Sequence, residues 1–166
     1  DIVDTGGYGA SAYYLDEQAR NCLVENNLSL GVGFATQNHM ATNNVFRGNV
    51  FVGDGDMKLA FPKSIGYTLE RNIFYATGEL FLRASTNGIV AMPNNLFFSQ
   101  QGKVTWERLE QYGSKGKSPF EPRDGSLIAD PLFEDAARGN LRFKAGSPAA
   151  KLGIRPINSH EAGRSR

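Results

Sequence analysis

The segment Leu23-Val24-Glu25-Asn26-Asn27-Leu28-Ser29-Leu30 returns three more times along the chain, and the copies align without a gap. The further copies are Val45-Phe46-Arg47-Gly48-Asn49-Val50-Phe51-Val52, Thr68-Leu69-Glu70-Arg71-Asn72-Ile73-Phe74-Tyr75 and Ala91-Met92-Pro93-Asn94-Asn95-Leu96-Phe97-Phe98. The fifth residue of each copy is an asparagine, and the steps between these asparagines are 22, 23 and 23 residues. Such steps are too short for repeats of paired helices, and the β-branched and aromatic residues show no 3.6-residue period. The repeat therefore predicts an all-β solenoid, with one coil of strands per copy.

Equivalent positions in neighbouring coils of such a solenoid stack about 4.8 Å apart. Two positions are apolar in every copy and are predicted to face inward: Val24, Phe46, Leu69 and Met92, and then Leu28, Val50, Ile73 and Leu96. Another position holds Glu25, Arg47, Glu70 and Pro93, an outward column in which the charges alternate in sign. We interpret the asparagine column as a buried ladder of side-chain amides rather than a row that contacts substrate, since buried amides need hydrogen-bond partners.

The repeat stops after Phe98, and the rest of the chain is predicted to close the solenoid. Thr105 is expected to cap a short helix with Trp106, Leu109 and Tyr112 on one face, ended by Gly113. The predicted organisation is thus coils over residues 1–100, a short helix and loop over 101–126, a C-terminal cap over 127–157 and a disordered tail over 158–166. Within the cap, we expect Leu132, Phe133, Leu141 and Phe143 to cover the C-terminal end of the solenoid.

Composition excludes several classes of function. A net charge of +1, from 18 basic and 17 acidic residues, gives no field that favours a nucleic acid or an anionic membrane as partner. No stretch of 18 apolar residues is present, so no membrane-spanning helix is expected. The single cysteine, Cys22, allows neither an internal disulfide nor a zinc site built from cysteines.

Several segments resemble one known family. They are Tyr14-Leu15-Asp16-Glu17, His39 with Asn43-Asn44-Val45-Phe46-Arg47-Gly48-Asn49, Ala129-Asp130-Pro131-Leu132-Phe133, Gly139-Asn140-Leu141-Arg142-Phe143 and Gly146-Ser147-Pro148-Ala149. Over residues 13–157 the chain resembles the right-handed parallel β-helix proteins of carbohydrate breakdown, in particular the C-terminal part of β-helical glycoside hydrolases of the fucosidase and xylosidase type. The resemblance implies a right-handed parallel β-helix, hydrolysis of a poly- or oligosaccharide, no cofactor, and a secreted or periplasmic location.

Glycoside hydrolysis generally uses two carboxyl groups, and Asp16 and Glu17 are the candidates. Counting back from the asparagines without a gap places Glu17 beside His39. The resemblance instead indicates Asp16 as the catalytic carboxyl, and a one-residue bulge after Asp16 would bring it beside His39. Both registers remain open from sequence alone.

Further candidates lie in the column of strands, one per coil, that also holds Asp16, Glu17 and His39. Tyr13, Tyr14, Gln37, Lys58 and Arg83 are predicted to contact substrate, because aromatic, amide and cationic groups suit a sugar or a uronate. His39 is predicted to hydrogen-bond a sugar or to tune a carboxyl group. Either Tyr13 or Tyr14 could equally well be a core residue. No metal site is predicted.

Two other functions and one partner follow from the same pattern. A polysaccharide lyase would use Lys58 or His39 to remove the C5 proton of a uronate, and a non-catalytic surface or adhesion solenoid would only display its loops. Nothing before Tyr13 is apolar enough to cover the first coil. We therefore expect missing N-terminal coils, or a partner chain, to pack against that face.

Overall fold

A computed structural model describes residues 11–110 and 113–157. Within these ranges the chain is a β-solenoid of about four coils, as the repeat predicts. Each coil passes once through three sheets, which we call sheets 1, 2 and 3. No helix in the described ranges has the length and apolarity needed to cross a membrane.

The coils are built from short strands that recur in the order sheet 1, sheet 2, sheet 3. Coil 1 contains β1 (Tyr13–Leu15), β2 (Leu23–Glu25) and β3 (Leu28–Leu30), and coil 2 contains β4 (Phe34–Asn38), β5 (Val45–Arg47) and β6 (Val50–Gly53). Coil 3 contains β7 (Met57–Phe61), β8 (Tyr67–Glu70) and β9 (Ile73–Ala76), and coil 4 contains β10 (Leu80–Ser85), β11 (Ile89–Ala91) and β12 (Leu96–Ser99). The chain continues with β13 (Val104–Glu110), β14 (Gly113–Pro119), β15 (Leu127–Ile128), β16 (Phe133–Asp135) and β17 (Asn140–Phe143).

Strands of successive coils pair in parallel in all three sheets. Sheet 1 has the order β1-β4-β7-β10-β13-β14, sheet 2 has β11-β8-β5-β2, and sheet 3 has β15-β12-β9-β6-β3. The parallel stacking of strands that a parallel β-helix requires is therefore confirmed, and in sheet 1 it joins the strands around Leu15, Gln37, Leu59 and Leu82.

The four asparagines form the predicted ladder at the corner between sheets 2 and 3. The Oδ1 atom of Asn49 accepts hydrogen bonds from the backbone N–H and from Nδ2 of Asn27, both at 3.0 Å. The same pair of bonds joins Asn49 to Asn72 and Asn72 to Asn95. The Oγ atom of Ser126 then accepts from Asn95 and serves as a fifth rung, which the repeat did not predict.

The residue before each rung bends the chain at this corner. Asn26, Gly48, Arg71, Asn94 and Gly125 all have positive φ angles, between 52° and 77°. Asparagine and glycine adopt this left-handed conformation at low cost. The recurrence of Asn and Gly before the ladder asparagine is thus explained by the tight bend that each coil makes at this corner.

A stack of phenylalanine rings fills the interior of the solenoid. Phe51 and Phe97 each lie 5.2 Å from Phe74, centroid to centroid, with nearly parallel rings. These residues stand two positions after the ladder asparagines. Phe46, Leu69 and Met92, three positions before the asparagines, are also fully buried there, as predicted.

The second predicted inward column faces the other way. Val50, Ile73 and Leu96 are buried, but they lie on the outer face of sheet 3, because side chains alternate along a strand and Phe51, Phe74 and Phe97 take the inner positions. Residues 129–157, the C-terminal strap, pack over them with Phe133, Leu141, Ala149, Leu152 and Ile154. The expectation that Phe133, Leu141 and Phe143 cover the end of the solenoid is therefore wrong. The strap covers its side.

The predicted helix around Trp106 is also wrong. Val104–Glu110 is strand β13, which pairs in parallel with β10 and antiparallel with β14. The free edge of β10 offers a row of backbone partners to this segment, and that tertiary context outweighs the helical spacing of Trp106 and Leu109. Part of the predicted loop is likewise strand β14, and Tyr112 and the tail over 158–166 lie outside the described residues. Phe120, 4.8 Å from the Phe97 ring, packs on the last coil in place of a helix.

Candidate functional site

The candidate residues gather on the outer face of sheet 1. Along β1 the side chains of Tyr13 and Leu15 turn inward to the core, so Tyr14 and Asp16 turn outward. In register with Tyr14 across the sheet lie Gln37, Ala60, Arg83 and Glu107. The fold thus brings six of the predicted residues to one face: Tyr14, Asp16, Gln37, His39, Lys58 and Arg83.

Asp16 lies beside His39, as the bulged register requires. Leu15 pairs with Asn38, and the backbone N–H of His39 donates to Leu15 O at 2.9 Å. Further along the same coil, Arg20 pairs with Thr42. Four residues therefore separate Leu15 from Arg20, against three between Asn38 and Thr42. This extra residue in coil 1 shifts the register by one and places Asp16, rather than Glu17, next to His39.

Both carboxyl groups nevertheless reach the imidazole. The Nδ1 atom of His39 lies 3.3 Å from Oδ1 of Asp16 and 4.0 Å from Oε1 of Glu17. Glu17 follows the end of β1, where the alternation of side chains no longer holds. The two neighbouring carboxyls and the histidine form a cluster at the exposed end of the strand.

The surroundings of Asp16 favour its ionised form. A hydrogen bond from the backbone N–H of Glu17 lowers the pKa of the Asp16 carboxyl, opposed by a smaller effect of desolvation. Hydrogen bonds from the side chains of Tyr14 and His39 lower the pKa further. Asp16 is therefore a carboxylate at neutral pH, suited to act as a base or a nucleophile and not as an acid.

Lys58 and Arg83 form a cationic patch near the middle of the same face. Burial and the nearby charge of Arg83 lower the pKa of Lys58, while Glu107 acts in the opposite direction. The Nζ atom of Lys58 lies 4.5 Å from the centre of the Phe34 ring, and Nε of Arg83 lies 2.9 Å from Oε2 of Glu107. Within the described residues, Lys58 has no carboxylate partner.

Two predicted substrate contacts offer little or no surface to a substrate. The Tyr13 ring makes edge contacts with Phe46 and Phe51 inside the solenoid, and burial raises the pKa of its hydroxyl. Tyr13 is thus a core residue, the alternative that the sequence left open. Gln37 shares the outer face, but only 5% of it is exposed, so it offers little surface to a substrate.

Within the described residues, Asp16, Glu17 and His39 form a group that could hold a metal ion. One donor atom from each of the three lies within 4.8 Å of the others. The sequence predicted no metal site, although both of its registers placed a carboxyl group beside His39.

A second charged cluster on sheet 1 was not indicated by any pattern in the sequence. The carboxylate of Glu79 accepts hydrogen bonds from Thr105, at 2.5 Å, and from Lys117, at 3.1 Å, and it lies 2.9 Å from Nζ of Lys103. Burial raises the pKa of Glu79, but these three partners outweigh it and lower the pKa to about 2. Lys117 comes from β14, the strand that the sequence assigned to a loop, so the cluster was not foreseen.

A groove of about 630 Å³ lies away from this face, between the left-handed corner and the strap. Two of its three arginines, Arg47 and Arg71, are paired with Glu25 and Glu70, and Arg155 is the third. The pair between Arg47 and Glu25 joins neighbouring coils, as the alternating charges of the outward column predict. Because two of the three guanidinium groups are already paired, we assign the groove a structural role.

The chain matches no protein-family model, no curated protein and no solved structure. The described geometry therefore shows the fold, and the function rests on the site itself.

Proposed function

We propose that the chain is a carbohydrate-active β-solenoid that hydrolyses glycosidic bonds in a poly- or oligosaccharide, at the outer face of sheet 1. The observation that carries this proposal is the Asp16 carboxylate, held ionised on an exposed strand end 3.3 Å from His39. The resemblance of the sequence to β-helical glycoside hydrolases supports the same assignment.

Asp16 and Glu17 supply the two carboxyl groups of such a reaction. The lowered pKa of Asp16 fits the residue that attacks the anomeric carbon or activates water, which leaves the role of proton donor to Glu17. Their nearest oxygens lie within 4.8 Å of each other. This upper bound lies below the roughly 6.5–9.5 Å that inverting enzymes need to hold a water between the carboxyl groups. We therefore propose retention of configuration.

The neighbouring side chains suit a sugar. Tyr14 is 41% exposed beside Asp16 and offers a ring face on which a sugar can pack. His39 binds Asp16 and positions it, and Lys58 and Arg83 extend the face toward later coils. A chain of several sugars running across the strands would contact these groups in turn.

One observation favours a second function, elimination by a polysaccharide lyase. A lysine with a lowered pKa next to an arginine is the arrangement needed to neutralise a uronate carboxylate and remove its C5 proton. In that reaction Lys58 takes the C5 proton, a C4–C5 double bond forms as the bond from C4 to the leaving sugar oxygen breaks, and Arg83, which also contacts Glu107, is the neutralising cation.

Product chemistry separates the two proposals. The purified chain is incubated with neutral and uronate-containing polysaccharides, and both reducing ends and absorbance near 230 nm are followed. New reducing ends without a rise in absorbance near 230 nm support hydrolysis. A rise in absorbance that the Lys58→Ala variant does not show supports elimination. Failure to cleave any glycan, with unchanged glycan binding in Asp16→Asn, would favour a non-catalytic adhesion solenoid.

A further inference from the structure

A second cavity lies at the C-terminal end of the solenoid, at the corner between sheets 1 and 2. In the described part of the chain no strand extends sheet 2 beyond β11, whereas sheet 1 continues past coil 4 with β13 and β14. The β13–β14 hairpin therefore projects beyond the last coil on this side, and β14 is exposed along its whole length. The recess beside it has a volume of about 550 Å³, within the roughly 300–1,000 Å³ of small-molecule sites.

Trp106 of β13 forms one wall of this cavity. Its ring stacks on Phe120, with 5.7 Å between the ring centroids and 28° between the planes. Its Nε1 atom donates to Ala84 O at 3.3 Å, so the polar atom of the indole is already used within the protein. The surface that the ring offers to the cavity is therefore fixed in place and apolar, which suits the C–H face of a sugar ring.

Arg108, two residues further along β13, lines the cavity with an unpaired guanidinium group. The residue is exposed, and it makes no ion pair or side-chain hydrogen bond with any other described residue. The pairing of β13 with β14 shifts at this point. Glu107 faces Lys117 and Leu109 faces Ser114, so two residues of β14 stand opposite Arg108. Bulges of this kind are common beside active sites, where they redirect a side chain.

Two further cations line the cavity, and both are already held by protein groups. Nζ of Lys115 lies 2.9 Å from Oε1 of Glu110. Nη2 of Arg123 donates to Ile89 O at 2.5 Å, and Nε of Arg123 lies 3.8 Å from Oδ2 of Asp124. These contacts fix the two cations at the rim of the cavity and partly neutralise them.

The lining as a whole favours an anion. Arg108, Lys115 and Arg123 stand against a single lining carboxylate, Glu121, which gives a formal charge of +2. Among the three cations, only Arg108 has no carboxylate within ion-pair distance in the described residues. A bound anion therefore gains most from this guanidinium group, whose planar fork pairs with two oxygens of an anionic group at once.

We propose that this cavity binds an acidic sugar, that is, a sugar ring that carries a carboxylate or a sulfate group. The ring packs on Trp106 and the anionic group pairs with Arg108. Two lining residues supply hydroxyl groups for the hydroxyls of the sugar, Thr86 and Ser118. Because the cavity lies at the end of the stack and not on the outer face of sheet 1, this inference goes beyond the proposed hydrolysis and does not depend on it.

A nucleotide fits these groups less well. Because Nε1 of Trp106 is already bonded, the ring offers no donor that reads a base. Polyphosphates are typically held by the backbone N–H groups of a helix N-terminus or of a nest of successive residues. The one helix in the described ranges, Ala136–Arg138, belongs to the strap and does not line this cavity.

Tryptophan fluorescence tests the proposal, because Trp106 is the single tryptophan of the chain and its emission reports on this cavity. The variant Asp16→Asn/Lys58→Ala is the starting protein, since it lacks the groups proposed to cleave a glycan at sheet 1. It is titrated with trigalacturonate, with a sulfated galactose trisaccharide, with the neutral galactose trisaccharide and with ATP. We expect at least one acidic sugar to shift the emission to shorter wavelength, as the sugar displaces water from the ring, and calorimetry to show one bound ligand per chain. The neutral trisaccharide and ATP should cause little change.

Arg108→Ala in this protein tests the anion contact. We expect the dissociation constant of the acidic sugar to rise by about tenfold or more, because the anionic group loses its charged partner. Since Arg108 is exposed, Tm should stay within about 1 °C of the starting value. Arg142→Ala, which removes an exposed arginine of the strap, is the matched control and should leave binding unchanged. Equal affinity with and without Arg108 would overturn the site.

The other outcomes are equally decisive. Equal affinity for the neutral trisaccharide would overturn the role of the cations, and tighter binding of ATP than of either acidic sugar would overturn the assignment to a sugar. Calorimetric binding with no change in Trp106 emission would place the sugar elsewhere on the molecule, and no binding of either acidic sugar would overturn the proposal outright. Cleavage is measured separately with the 1–166 chain, so failure of the proposed hydrolysis does not alter these results.

Discussion

The Nδ1 atom of His39 lies 3.3 Å from Oδ1 of Asp16, although the two residues are 23 positions apart and belong to different coils. The contact exists because coil 1 carries one more residue after β1 than coil 2 carries after β4. A single added residue thus decides which carboxyl group meets the imidazole. The chemistry proposed for sheet 1 depends on this register.

Replacement of Asp16 tests that chemistry directly. Asp16→Asn keeps the shape of the side chain but removes the charge, so we expect turnover of the cleaved glycan to fall by about 10²–10⁴-fold. Because the side chain is exposed, Tm should stay within about 1 °C of the parent value. Steady-state kinetics measures the turnover, and thermal unfolding measures Tm. Glu134→Gln, an exposed carboxyl on the strap, is the matched control, and undiminished turnover in Asp16→Asn would remove Asp16 from the site.

The pH profile tests the role of His39. Activity that needs an ionised Asp16 is lost as the pH falls through the pKa of that carboxyl, which lies below its ordinary value of 3.8. His39→Asn removes one of the groups that lower this pKa, so the acid limb of kcat/KM should move to higher pH. The limb should stay below pH 3.8, because the hydrogen bond from the Glu17 backbone remains. An acid limb at the same pH in both proteins would contradict a positioning role for His39.

The ladder is expected to dominate local stability. Asn72→Ala leaves the two donors of Asn49 and the carbonyl of Phe46 without this side chain in a buried corner, and Oδ1 of Asn95 keeps only the backbone N–H of residue 72. Since each unsatisfied buried group costs about 1–3 kcal/mol, we expect a loss of about 3 kcal/mol or more in the free energy of unfolding. Guanidinium denaturation measures it. Asn140→Ala, at an exposed position of β17, should change stability by less than about 0.5 kcal/mol.

Glu79 should make stability depend on pH in the acid range. Its pKa falls from 4.5 to about 2 on folding, so its contribution is present above about pH 4.5 and is lost as the pH falls toward 2. Glu79→Gln should cost about 1.5–3 kcal/mol at pH 7, the usual range for hydrogen bonds to a charged group, and much less at pH 2. Urea unfolding of both proteins at the two pH values gives the comparison. Glu110→Gln, which removes the exposed pair with Lys115, should be nearly neutral at both.

The sequence predicted the coil because the same residue types recur at one spacing. Asn27, Asn49, Asn72 and Asn95 identified the ladder, and the apolar positions identified the strands. The pattern did not show which side of sheet 3 is the interior, because Val50 and Phe51 are both apolar. Only the strap, which covers Val50 from outside, explains why two successive positions are buried.

The candidate site was predictable in composition but not in geometry. Asp16 and His39 were named from the residues and the resemblance, yet their contact depends on the extra residue of coil 1, which a gap-free alignment hides. The Glu79 cluster was missed because Lys117 reaches it from β14. The pairing of β13 and β14 is a tertiary effect that the local pattern at Trp106 does not reveal.

The strap also has a consequence for how the molecule comes apart. A stack of coils that touch only their neighbours can fray from one end, one coil at a time. Here the strap packs on sheet 3 from Leu28 of coil 1 to Leu96 and Phe98 of coil 4, and Gly139 lies against Leu30. Peeling off the first coil therefore means breaking contacts with a segment that also holds the last. Because the strap contacts every coil from the first to the fourth, the coils are expected to unfold together. Thermal unfolding should therefore show one cooperative transition instead of a series of small ones.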